Sequence, residues 1–293
     1  MRIGKRFLWA SLLGMAMAGE ASALAVYGVT TNNSLVRFDS ASPGTINSTV
    51  GVTGLNAGAT LLGIDFRPAS GELYGVSSDS RLYTINLSNG AATAIGSAGG
   101  FTLNGTSFGF DFNPTVDRIR MTSDADQNLR LNPNTGALAA ADASLAYAAT
   151  DINALANPNI VGSAYTNSFM GATTTTLFGI DSALDILVTQ APPNNGTLNT
   201  IGGGLGFNTT DLVGFDIFFL GNQAFASLTA SGAGSSLFSI NLASGAATSI
   251  GAIGSGLAIA DIAIQQIPEP GTITLLAVAL LGSIAVRTRR RFK

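Results

Sequence analysis

The 293-residue sequence contains no cysteine and no histidine. Without cysteine there are neither disulfides nor thiolate metal sites. Without histidine the usual base, the usual pH switch and the commonest metal ligand are gone. Lysine occurs only near the ends, at Lys5 and Lys293, and the single tryptophan is Trp9. Eight of the fourteen basic residues sit at the two ends, leaving six arginines against fifteen acids in residues 24–266, a net charge of −9. So acidic a body repels nucleic acid and anionic lipid, which excludes nucleic acid as a partner. A hydrolase built from it would need paired carboxylates, a metal or a Ser–Lys pair, and the body has no lysine.

The ends carry addresses. Arg2, Lys5 and Arg6 precede an apolar stretch from Phe7 to Ala18, and Ala21-Ser22-Ala23 supplies a small-x-small cleavage pattern. These features predict a signal peptide over residues 1–23, with Ala21 and Ala23 as the small residues of the cleavage pattern and a mature chain starting near Leu24. At the other end, Pro268-Glu269-Pro270 leads into an apolar run from Thr272 to Val286 and then Arg287, Arg289, Arg290 and Arg291. The run predicts a transmembrane helix over 272–286, short beside the roughly 20 residues that span a bilayer comfortably. The arginines form a membrane stop on the cytoplasmic side, which places a body of residues 24–266 outside the inner membrane. Pro-Glu-Pro, a short apolar segment and an Arg-rich end, in that order over 267–293, resemble the PEP-CTERM sorting signal of Gram-negative bacteria that make exopolysaccharide. The resemblance implies an exosortase-type partner that cuts near Pro268–Pro270 and passes the body to the cell surface or extracellular matrix.

Between the ends the chain repeats itself. Leu82–Gly96 reads LYTINLSNGAATAIG and returns as LFSINLASGAATSIG at Leu237–Gly251. Each copy is two apolar runs around a small-residue turn, which is the pattern of a β-hairpin. Turn glycines recur at Gly44, Gly90, Gly136, Gly196 and Gly245, where a left-handed backbone is wanted. A three-residue marker precedes each turn, as in Tyr74-Gly75-Val76 and Ile119-Arg120-Met121, and opening strands such as Leu62-Gly63-Ile64-Asp65-Phe66 begin the units. Four strands per unit of this size predict propeller blades. The first unit lacks an opening strand, and Leu257–Ile262 supplies one at the other end. The fold read from this pattern is an all-β, five-bladed β-propeller closed by a C-terminal strand. A helical turn is expected only near Ala139–Tyr147. The runs Gly109–Ala137 and Tyr165–Asp181 resemble an uncharacterised bacterial family, a domain of unknown function in exported proteins. It brings no activity to carry over.

The opening strands hold an acid at one register: Asp65, Asp111, Asp216 and Asp261, with Ala164 in the fourth unit. Around a propeller axis these carboxylates could bind a divalent metal such as calcium, since hard cations prefer oxygen. The reading favoured over a metal site has each acid accepting backbone N–H bonds and locking blade to blade, because a buried carboxylate must be satisfied. Asp124-Ala125-Asp126-Gln127-Asn128 has the first half of a calcium loop but lacks the glycine and the closing acid. The pairs Asp124/Asp126 and Asp181/Asp185 are the candidates for a glycosidase-like alternative acting on envelope or matrix polysaccharide. The favoured reading is non-catalytic: an exported binding or scaffold module that contacts extracellular polysaccharide or surface proteins and needs no cofactor.

Overall fold

The hairpin that the repeat predicts forms at both copies. A computed structural model describes residues 23–266, so Ala21, the Pro-Glu-Pro motif, the predicted helix and the terminal arginines lie outside the described residues. In each hairpin an asparagine organises the turn. Asn86 Oδ1 accepts the Ser88 N–H and Asn241 Oδ1 accepts the Ala243 N–H, each at 2.9 Å. Four residues on, Gly90 (φ 72°) and Gly245 (φ 75°) each donate an N–H to that asparagine's carbonyl at 2.8 Å. Asn132 and Gly136 repeat the device in a third hairpin. The side chain closes the turn and the left-handed glycine returns the chain.

Twenty-one strands follow in order. Blade 1 takes β1 (Ala25–Thr30), β2 (Ser34–Asp39) and β3 (Ser42–Gly51). Blade 2 is β4 (Leu61–Phe66), β5 (Leu73–Ser77), β6 (Arg81–Ile85) and β7 (Ala92–Ile95). Blade 3 is β8 (Phe108–Asn113), β9 (Arg118–Ser123), β10 (Asn128–Leu131) and β11 (Leu138–Ala141), and a short β12 (Ala146–Tyr147) follows. Blade 4 is β13 (Ile160–Tyr165), β14 (Leu177–Asp181), β15 (Ile186–Gln190) and β16 (Thr197–Ile201). Blade 5 is β17 (Gly214–Phe218), β18 (Gln223–Thr229), β19 (Ser235–Ile240) and β20 (Ala247–Ala252), and β21 (Ile259–Ile264) ends the body. β21 pairs antiparallel with β1, Val26 opposite Ile264 and Gly28 opposite Ile262, so the last strand completes the first blade. The molecule is an all-β, five-bladed propeller. Among the described residues no helix is long and apolar enough to cross a membrane.

Two local expectations are corrected. Ala139–Tyr147 is not helical: Leu138–Ala141 is the outer strand of blade 3, and Ala146–Tyr147 runs parallel to Thr197–Ile201 as a fifth strand on blade 4. Its alanines carry helix propensity, but β-pairing with two neighbouring blades overrides it. Gly44 sits inside β3 rather than at a left-handed turn, because the chain reverses earlier, around Ser40 and Ala41.

The core is divided among the blade junctions. Apolar clusters join blades 1 and 2 (Tyr27, Leu61, Phe66), 2 and 3 (Tyr74, Phe110, Met121), 4 and 5 (Val161, Phe215, Phe238), and 5 and 1 (Phe218, Ile262). Blade 3 treats its other neighbour differently. Alternate residues of a strand face opposite sides, so Ile119 and Met121 pack toward blade 2 while Arg120 and Thr122 turn toward blade 4. A polar row, buried, forms that junction.

Candidate functional site

The five strands nearest the axis are β21, β4, β8, β13 and β17, each packed on the next. Three of them carry Gly-x-Asp: Gly63-Ile64-Asp65, Gly109-Phe110-Asp111 and Gly214-Phe215-Asp216. The glycine makes room for the neighbouring blade. A Cβ at Gly63 would lie 2.6 Å from Phe110 Cβ, and one at Gly214 would lie 2.5 Å from the Ile262 backbone nitrogen. The aspartate two residues on projects to the same side and reaches that neighbour's backbone. Asp261 Oδ2 accepts the Ile64 N–H at 2.9 Å, and Asp65 Oδ2 accepts the Phe112 N–H at 2.8 Å. Asp111 Oδ1 takes the Tyr165 N–H at 3.1 Å, and Asp216 Oδ2 takes the Ile264 N–H at 2.5 Å. The second oxygens of Asp65, Asp216 and Asp261 accept the N–H of the following residue at 2.6, 2.5 and 2.9 Å.

These hydrogen bonds run 1 to 2, 2 to 3, 3 to 4 and 5 to 1 around the ring. The step from blade 4 to 5 has Ala164 in place of an acid, and side-chain bonds nearer the rim serve it. There the Asn167 N–H donates to Asn222 Oδ1 at 2.9 Å and Asn159 Nδ2 donates to Asp211 Oδ1 at 2.8 Å.

All four acids are buried, and Asp65, Asp111 and Asp216 bring carboxylate oxygens within 4.8 Å of one another. Burial pushes every one of these carboxyls upward, because a charge there has lost its water. Repulsion from Asp216 adds to burial at Asp65, and repulsion from Asp65 and Asp216 adds to it at Asp111. Asp216 is pushed up to about 6. As a calcium site the donor set fits poorly: Asp65 and Asp216 already commit both oxygens to amides, and calcium asks for six to eight oxygens.

A cleft opens at each end of the inner strands. Thr31, Thr60, Thr106, Ser107 and Asp211 ring a cleft of about 180 Å³ where the inner strands begin. A cleft of about 120 Å³ lies where they end, lined by Phe66, Phe169, Met170, Phe219, Gln265 and Gln266. The described chain leaves the propeller at this second, apolar mouth.

The acid pairs do not meet around a common cleft. Asp124 accepts from Thr106 (2.8 Å from the N–H and 2.5 Å from the hydroxyl), closing a loop between blades 2 and 3. Asp181 accepts from Tyr147 and two turn amides, and Asp185 from the Thr209 N–H. The structure instead sets Asp126 within electrostatic reach of Asp181, and burial together with that charge raises Asp126.

Sequence reasoning missed the most charged interior feature. Arg120 is buried and donates to Tyr165, Asn128, Asp142 and Asn194 at 3.3, 2.6, 2.7 and 2.8 Å. Its signal was in view: equivalent positions in three other units are Gly28, Gly75 and Gly179, so an arginine stands where a close-packed glycine is the rule.

A family model for Domain of unknown function (DUF4394) matches residues 34–263, the propeller from its second strand to its last. The chain belongs to the DUF4394 family. A second model, the PEP-CTERM protein-sorting motif, matches residues 266–291, directly after the apolar channel mouth. This DUF4394 chain is thus an exported protein with a membrane-anchored sorting signal that is processed by an exosortase. No curated protein matches it. Among solved structures it is similar to a chain of the nidogen/laminin complex, at 13% identity and TM-score 0.46, covering 82% of this chain and 98% of that one. It is similar to dihydro-heme d1 dehydrogenase NirN at 13% identity and TM-score 0.37, covering 80% and 45%. TolB from Acinetobacter baumannii matches at 11% identity and TM-score 0.45, covering 78% and 53%.

Proposed function

We propose that this protein is a non-catalytic binding or scaffold module of the cell surface or extracellular matrix. Its body is held outside the inner membrane by the C-terminal signal until an exosortase releases it. The observation that carries the non-catalytic reading is the commitment of the axial acids. Each ring carboxylate accepts a backbone N–H of the next blade, so the groups best placed for acid–base work are spent on closing the ring. The sorting reading is supported by the exit of the chain at Gln265 and Gln266, beside exposed Met170 and Phe169. Replacing Pro268, Glu269 and Pro270 with alanine should leave full-length protein in the inner membrane, followed by fractionation and immunoblot. Processing of that variant at the normal rate would end the sorting reading.

A further inference from the structure

Three of the six arginines in this acidic body converge on one pocket. Arg118, Arg120 and Arg130 line a cleft of about 390 Å³ between blades 3 and 4, together with Asn113, Tyr165 and Asn194. One acid, Asp142, faces them. It takes two hydrogen bonds from Arg130, at 2.7 and 2.8 Å, and one from Arg120 at 2.7 Å. Three guanidiniums against one carboxylate leave a local charge of +2 in a body of net −9. Asp142 is thereby outnumbered: burial works to raise it, but the hydrogen bonds from Arg130 and Arg120 hold it below the ordinary carboxylate range.

The structural duties of these arginines are unequal. Arg120 is the buried hub of the junction, and Arg130 is clamped in a two-bonded pair with Asp142. Arg118 touches only the Val116 and Asp117 carbonyls, both through Nη1. Its Nε and Nη2, and Nη1 of Arg130, have no acceptor among the described residues. Unspent guanidinium donors in a concave site match the planar oxyanions of carboxylates, phosphates and sulfates. The rest of the lining is carboxamide, phenol, the rings of Pro192 and Pro193 and the side chain of Val116, a mix of polar groups and apolar faces that suits a hydroxyl-bearing ligand.

We infer that this pocket binds an acidic sugar, with the oxyanion on Arg118 and Arg130 and the hydroxyls on the asparagines. The inference gives a ligand class to the binding-module reading and rests on it. The test is calorimetric titration of the full chain with trigalacturonate, with neutral galactotriose and inorganic phosphate as parallel probes, in wild type and Arg118→Gln. Trigalacturonate should bind and galactotriose should not. Arg118→Gln should weaken binding roughly tenfold while leaving the melting temperature unchanged, since Arg118 makes only local contacts. Equal binding by wild type and variant, or no trigalacturonate binding, overturns the site. Phosphate binding as tightly as trigalacturonate overturns the sugar assignment. Product analysis separates the two readings: trigalacturonate bound and cleaved would sink the non-catalytic reading while leaving the site in place.

Discussion

An aspartate sealed against the axis of a propeller must ionise without water or keep its proton. Burial raises all four ring carboxyls, their oxygens are spent on amides, and two predictions follow at the scale of the residue. Asp65→Ala strands the Phe66 and Phe112 N–H groups, and at about 1–3 kcal/mol for each buried unpaired donor it should cost about 2–6 kcal/mol in denaturant unfolding. Asp65→Asn keeps one acceptor oxygen but turns its NH2 toward the second amide, so it should cost less than alanine while still leaving one N–H unpaired. The second concerns pH. A carboxyl raised in the folded state binds protons more tightly when folded, so its contribution is complete below about pH 4 and is lost as pH rises through the folded value. For Asp216 that value is about 6, so its part of the stability should fall between about pH 4 and pH 7. Asp79, Asp142 and Asp151 do not blur this window. Burial pushes them up, yet their hydrogen bonds hold them below the ordinary range, so they titrate under pH 4.

At the scale of the element, the Gly-x-Asp strand is the unit that builds the ring. The glycine admits the next blade and the acid ties it. Gly109→Ala would put a Cβ 2.5 Å from Ser163 Oγ and 2.7 Å from the Ser163 nitrogen, parting blades 3 and 4. Overpacking of this kind should cost about 1–3 kcal/mol, read as a lower denaturant midpoint. The strand and its acid were legible in the sequence because glycine, aspartate and apolar alternation recur in register. That it ties blade to blade through a backbone N–H was legible too, but the particular amide was not, since a backbone N–H in the next blade has no residue type to betray it. The outer hairpins were legible through asparagine and glycine four apart. The arginine pocket was hidden for the opposite reason. Arg120 finds Asp142 and Asn194 at separations of 22 and 74 residues, and only the closed ring brings them together.

At the scale of the whole molecule, closure is what the two ends accomplish together. β21 supplies blade 1 with its inner strand, carries Asp261 to blade 2, and offers the Ile264 N–H to Asp216. Deleting Ile259–Ile264 removes one pairing edge of β1 and two of the four axial locks at once. The truncated chain should aggregate through the bared edge, seen as loss of the monomer peak in size-exclusion chromatography. The missing inner strand of the first unit and the spare strand at the end made this closure readable from the sequence. The acid-free fourth unit was readable too, but not the rim contacts of Asn167 and Asn159 that serve its junction. Those depend on how loops from separate blades meet.

At the centre of the molecule the axial acids are locks between blades that hold their protons more tightly in the folded chain than in the unfolded one. This is tested most directly by melting the purified chain from pH 4 to pH 7, with EDTA and with millimolar calcium, and with both again at pH 8. The account predicts a midpoint that falls steadily with rising pH and is the same with calcium as with EDTA. A midpoint raised by calcium at pH 8, and no longer raised in Asp111→Asn, would contradict it by making the ring a cation site, since a ligand bound only to the folded state stabilises it.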